Sequence, residues 1–107
     1  GDRLNAYMTD RHAIEAQYKL PKGTMDDFMA HLLHVLKLVG PDHVGIGLDW
    51  DGGGGVTGME DVAGLPEISK RLLAAGYTEA DLAKIWSGNV LRVMRAVEAK
   101  AAELHRN

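Results

Sequence analysis

The order of signals along the chain predicts an α/β protein that is mostly helical and holds one clear parallel strand at about 43–48. Three observations point there. An amphipathic stretch stops at Gly40-Pro41. The apolar run His43-Val44-Gly45-Ile46-Gly47-Leu48 follows at once, without the polar alternation of a half-exposed strand, as strands buried on both faces read. Beyond a glycine-rich loop, helical periodicity resumes behind new cap signals. Helix, tight turn, buried strand, loop and helix make one αβα slice of a parallel fold.

Residues 1–23 carry Leu4, Tyr7, Met8, Ile14, Tyr18 and Leu20 without a firm period and end in Pro21-Lys22-Gly23. They are expected to form a loop, with one helix over about 10–19. Thr24 offers a cap oxygen, Asp26 and Asp27 occupy a first turn where the helix dipole favours negative charge, and Met25, Phe28, Met29, Leu32, Leu36 and Val39 recur at helical spacing. This predicts a helix over 24–39. After the strand, the loop 49–64 opens with Asp49-Trp50-Asp51-Gly52-Gly53-Gly54-Gly55, and four successive glycines cost enough conformational entropy to need a reason. Residues 66–106 read as C-terminal helices: one from Pro66 to a stop at Gly76, a short one capped by Thr78 with Asp81, a break at Ser87-Gly88, and a last one capped by Asn89. On that last helix Val90, Leu91, Val93, Met94, Val97 and Leu104 form one apolar side.

A single strand needs partners, because buried backbone groups must be paired. They are expected from the N-terminal segment, from a second copy of the chain in a homo-oligomer, or from the rest of a longer polypeptide. The 107 residues suffice for one compact domain and exclude a large multidomain enzyme. With no cysteine there is neither a thiolate zinc site nor a cysteine nucleophile, which leaves five histidines and fifteen carboxylates as candidate ligands. A net charge of −3 with scattered Lys and Arg argues against a nucleic-acid partner. No apolar run approaches the roughly 20 residues that cross a bilayer, so a soluble chain, cytoplasmic or periplasmic, with no membrane partner is expected.

Asp49 ends the strand, where parallel folds gather catalytic and binding groups. A carboxylate there can take a proton from a metal-bound water or hold a substrate ammonium; equally, it can simply hydrogen-bond the loop backbone. Trp50 can wall a substrate pocket or fill space beside it. The spacing of Asp49, Asp51, Gly54 and Glu60 partly imitates an EF-hand calcium loop, but Gly53 lacks a ligand oxygen and the flanks are not helical. Asp27, His31 and His34 share a helix face and could hold a metal, although exposed helix histidines are usually just solvated. His43 reads as a turn residue, and His12 and His105 have no convincing partners. Trp86 reads as a packing residue.

Four blocks together carry a resemblance: Gly40-Pro41-Asp42-His43-Val44-Gly45-Ile46-Gly47-Leu48-Asp49-Trp50-Asp51-Gly52, Gly58-Met59-Glu60-Asp61-Val62, Gly76-Tyr77-Thr78-Glu79-Ala80-Asp81-Leu82 and Gly88-Asn89-Val90-Leu91-Arg92-Val93. In order and spacing they resemble the C-terminal end of the membrane (renal) dipeptidase family, over residues 24–98. The resemblance implies a TIM-like (β/α)8 barrel of the amidohydrolase type, a hydrolase that usually carries two zinc ions. Such enzymes cleave dipeptides, some with a D-residue at the C-terminal side, through a metal-bound hydroxide. It further implies that 43–48 is the last barrel strand, that 49–64 is an active-site loop, and that Asp49 is the catalytic carboxylate near the metal-bound hydroxide and the substrate amino group. Asp49, Trp50 and Asp51 would border the dipeptide. The family's metal ligands include an H-x-D motif absent from these residues, so none of the histidines inherits a ligand role. The chain is thus expected to be the last part of a barrel that needs roughly 250 residues, with its other strands and its zinc ligands upstream of Gly1 and no activity of its own. A free-standing, mostly helical interaction module without catalysis is the rival expectation.

Overall fold

The computed structural model describes residues 1–19 and 21–106; Leu20, counted above among the isolated apolar residues, and Asn107 lie outside them. Among the described residues five α-helices follow one another: α1 (Asp2–Gln17), α2 (Met25–Val39), α3 (Leu65–Ala74), α4 (Glu79–Ala83) and α5 (Asn89–His105). Short 3-10 turns stand at Pro41–His43 and Val62–Gly64, and a π-turn at Lys84–Gly88 joins α4 to α5.

Helix α1 is longer than its periodicity suggests. Nothing in residues 2–17 breaks a helix, and Arg11 and Glu15 pair at 2.7 Å across one turn. Yet α1 buries no residue, and Leu4, Tyr7, Ile14 and the following Tyr18 are all exposed. Its apolar residues show no firm period because no face of this helix packs on the rest of the chain.

The two capped helices form as their local chemistry dictates. The Thr24 side chain accepts from the Asp27 backbone N–H while the Asp27 carboxylate accepts from the Thr24 backbone N–H at 2.8 Å, and Thr78 and Asp81 repeat the arrangement at the start of α4. Those bonds, from the Thr24 N–H and then its hydroxyl, hold the Asp27 carboxyl below the usual carboxylate range. Pro66 lies in the first turn of α3, and Gly76, at φ +97°, ends it while the Tyr77 N–H bonds back to the Leu72 carbonyl.

The core lies between α2, α3 and the π-turn. Met25, Met29, Leu32 and Leu36 from α2 meet Ile68 and Leu72 from α3, Ile85, Val44 and Met59. Ile68 and Leu72 are both 0% exposed. Leu72→Ala leaves a cavity that a small core cannot collapse, so the chain should lose about 2–5 kcal/mol in urea or thermal unfolding. A loss below 1 kcal/mol, on the order of a surface substitution, would mean that this cluster does not organise the fold.

Residues 44–48 depart from expectation. They lead out of the Pro41–His43 turn through an extended Val44, but among the described residues no regular strand forms; the bridges are the isolated pairs Thr24 with Thr57 and Val56 with Met59. The parallel strand at 43–48 is therefore not present as such, since a ladder needs a second strand alongside. The segment is also not buried on both faces. Val44 is buried and Ile46 and Leu48 are half-buried against the helices, while Gly45, Gly47 and Asp49 are exposed. That alternation belongs to a strand covered on one side.

Two further expectations are corrected. Ser87-Gly88 does not break the chain, because the Asn89 N–H bonds the Lys84 carbonyl in a π-turn that runs on into α5. Asn89 is accordingly not a cap; it is the buried residue of α5. The apolar side of α5 exists, but Val90, Val93, Met94 and Val97 are all more than half exposed. The radius of gyration, 19.2 Å, far exceeds the roughly 13 Å of a compact domain of this length.

Candidate active site

Asp49 stands where that segment turns into the glycine loop. Its backbone is left-handed, at φ +53°, a conformation that Asp tolerates better than most side chains. Its carbonyl accepts from the Gly52 and Gly54 N–H groups at 3.1 and 2.8 Å. Among the described residues the loop is thus bonded through the Asp49 main chain.

The glycines here have physical reasons. A Cβ on Gly54 would lie 2.1 Å from the Leu48 carbonyl oxygen and 2.8 Å from the Asp49 Cβ. A Cβ on Gly52 would lie 2.3 Å from Asp49 Oδ1. The Asp49 carboxylate therefore lies over Gly52, and the loop doubles back so tightly that only bare backbone fits. Gly53 and Gly55 supply positive φ, as does the non-glycine Asp51 at +65°.

The far end of the loop is tied to the start of α2. The Met25 N–H donates to the Thr57 carbonyl at 3.0 Å, and the Thr57 N–H donates to the Gly23 carbonyl at 2.9 Å. Trp50 folds inward, half-buried, and its Nε1–H donates to the Met59 carbonyl at 3.2 Å. With Phe28, Leu48, Val56 and Met59 it lines a small cavity of about 200 Å³ under the loop. Asp51 points its residue to the exposed rim. Trp86 packs in the helical layer and donates to Ser69 Oγ at 2.9 Å.

The near end of the segment is held by residues whose role sequence periodicity misassigned or missed. The Asn89 carboxamide donates to the Pro41 and Val44 carbonyls at 2.6 and 2.8 Å, and accepts from Arg92 at 2.9 Å. Arg92 also donates to the Asp42 carbonyl at 2.6 Å. The Asp42 carboxylate pairs with Lys84 at 2.7 Å. Their hydrogen bond holds the Asp42 carboxyl below the usual carboxylate range and raises the Lys84 ammonium above its ordinary value. The depressed Asp42 contributes stability above the ordinary carboxylate pKa, and that contribution is lost as the pH falls through the depressed value. Asp42→Asn should lower Tm near neutral pH, with the gap to the parent closing below about pH 3.9. A gap that persists in acid would discount the ion pair.

The remaining candidates do not converge. Among the described residues no three His, Asp or Glu side chains come together as a metal site. Asp27 is engaged in its capping box, His31 and His34 are exposed, and His43 lies exposed in the 3-10 turn. Among the described residues no helix is long and apolar enough to cross a membrane.

Known dipeptidases resemble this chain in sequence and in structure. The chain is 40% identical over 82 residues to "Dipeptidase tcpJ" of Claviceps purpurea, covering 76% of this chain and 19% of the relative. It is 44% identical over 69 residues to "Dipeptidase ataJ" of Aspergillus terreus, covering 64% and 17%. Among solved structures it is similar to the probable dipeptidase PvdM from Pseudomonas aeruginosa, with a TM-score of 0.69, 36% identity, and coverage of 85% of this chain and 22% of that one. The chain thus spans about a fifth of the length of the curated relatives it matches. The sequence profile of the "Membrane dipeptidase (Peptidase family M19)" matches residues 6–107, and with the half-covered segment ending in Asp49 this makes the chain a member of the membrane dipeptidase family.

Proposed function

We propose that this chain is the C-terminal portion of a metal-dependent dipeptidase, in which 44–48 serves as the last strand of a (β/α)8 barrel and Asp49 works at its mouth. The observation that carries this reading is the bare face of Gly45, Gly47 and Asp49, backed by helices on the other side only. A parallel barrel is built that way, with helices outside and the reacting groups at the C-terminal ends of its strands. The large radius of gyration and the uncovered apolar side of α5 fit the same picture.

In this reading the Asp49 carboxylate receives the ammonium of a dipeptide, takes a proton from the water whose oxygen adds to the peptide carbonyl carbon, and returns it to the leaving amine as the C–N bond breaks. Trp50 and Asp51 border the dipeptide at the rim. The described residues do not fit a metal site, and no step is derived through one. The zinc ions of the family, and the remaining strands that complete the ladder, are assigned to the portion of the polypeptide that this chain does not span.

A panel of dipeptides, including some with a D-residue at the C-terminal side, tests the proposal on the complete polypeptide and on the 107-residue chain. The complete protein should hydrolyse members of the panel and retain zinc on metal analysis, and the chain alone should do neither. Turnover by the chain alone, or none by the zinc-loaded complete protein, would overturn it.

A further inference from the structure

The recess under the glycine loop has walls that this chain supplies and fixes by itself. Phe28 comes from α2, Leu48 and Trp50 from either side of Asp49, and Val56 and Met59 from the far end of the loop. They are held by bonds made close by. Trp50 is tied to the Met59 carbonyl, the Met59 N–H donates to the Val56 carbonyl at 3.0 Å, and the Met25 and Thr57 N–H groups fasten the loop to the start of α2. A strand laid beside 44–48 would pair with the backbone edge of that segment and leave these bonds in place.

Two observations say what the recess would hold. The first is its chemistry and size. Among the described residues no charged side chain lines it, and the Trp50 Nε1–H already has its acceptor. Its volume of about 200 Å³ exceeds the roughly 150 Å³ that suffices for benzene in an apolar cavity, which suits one aliphatic or aromatic side chain.

The second is its bare edge. Gly47 and Gly55 complete the lining without side chains. At Gly55 a φ of +121° accounts for glycine, but at Gly47 nothing in this chain does: a Cβ there would meet no atom within 4 Å, and φ lies outside the left-handed region. Gly47 precedes Asp49 by two residues on the same uncovered face, at most about 7 Å along the chain. The missing side chain leaves a way from the Asp49 side into the recess.

We propose that this recess is the subsite for the side chain of the dipeptide's N-terminal residue, that it takes aliphatic and aromatic groups, and that Gly47 is its doorway. The proposal rests on the reading in which Asp49 holds the substrate ammonium, because the side chain to be housed starts two bonds from that nitrogen.

Kinetics on the complete dipeptidase test it, with X-Ala dipeptides in which X is Gly, Leu, Phe, Glu or Lys. From Gly-Ala to Leu-Ala or Phe-Ala, kcat/KM should rise at least about tenfold. Glu-Ala and Lys-Ala should gain nothing over Gly-Ala, since a charge finds no partner in the recess. Gly47→Val places a branched side chain in the doorway and should cut the ratio of Leu-Ala to Gly-Ala about tenfold; Gly47→Ala should cut it less. Melting curves establish that each variant is folded. If neither folds, the room over Gly47 is filled by other parts of the polypeptide and the proposal falls. It falls equally on an even response to all five dipeptides, or on a parental ratio in folded Gly47→Val. Those results leave the reading of Asp49 intact, whereas full activity of Asp49→Asn on all five would remove that reading and this one together.

Discussion

Replacing Asp49 by asparagine in the complete dipeptidase is expected to lower kcat/KM by about 10²–10⁴-fold, the range typical of a positioned acid or base. Asparagine keeps the volume and one acceptor oxygen but can neither carry a proton nor balance an ammonium. The loss should appear with little change in melting temperature, because the loop is bonded through the Asp49 carbonyl, which the substitution leaves in place. This separation of activity from stability is the informative part. An Asp49→Asn enzyme with parental kcat/KM would refute the catalytic role, and one that merely failed to fold would contradict the main-chain account of the loop.

The second large effect belongs to Gly54. An alanine there drives its Cβ into the Leu48 carbonyl oxygen and the Asp49 backbone, neither of which can swing aside. The loop must open, and the Asp49 carboxylate moves with it. A displacement of about 1 Å at a reacting group costs on the order of 10²-fold, and Gly54→Ala should lose at least that much in kcat. Gly52→Ala should cost less stability, since the group its Cβ meets first is the end of the Asp49 side chain, which can rotate; but rotation takes that carboxylate out of place, so kcat should fall here too. Gly53→Ala meets no neighbour, and its strain comes from the positive φ alone. Melting temperatures should fall furthest for Gly54→Ala, and a Gly54→Ala enzyme as active as the parent would mean that the tight double-back is not the working geometry.

The parts of this structure that were legible in the sequence are those set by near neighbours. Thr24 with Asp27, Thr78 with Asp81, Pro66 and Gly76 mark their helix ends because a cap is made within a few residues. Asp49 could be picked out because its place after an apolar run is itself a local pattern. What misled was non-local. The run 44–48 has the composition of a paired strand, but pairing depends on chain lying elsewhere. Asn89 follows Gly88 as a cap residue would, yet its partners Pro41 and Val44 lie more than forty positions away, and a π-turn leaves no periodic trace across five residues. Helix α1 shows the converse: with no breaker in it, a helix forms without any buried face to announce it.

The two indoles are hydrogen-bonded on different elements around one core, and that gives the protein a built-in pair of optical probes. Trp50 is hydrogen-bonded within the glycine loop, whereas Trp86 is hydrogen-bonded to Ser69 in the helical layer. With Trp86 replaced by phenylalanine, the remaining emission reports the surroundings of the glycine loop. With Trp50 replaced instead, it follows the packing of α3 against the π-turn. Changes around the loop and around the helical layer can then be followed one at a time, without any attached dye.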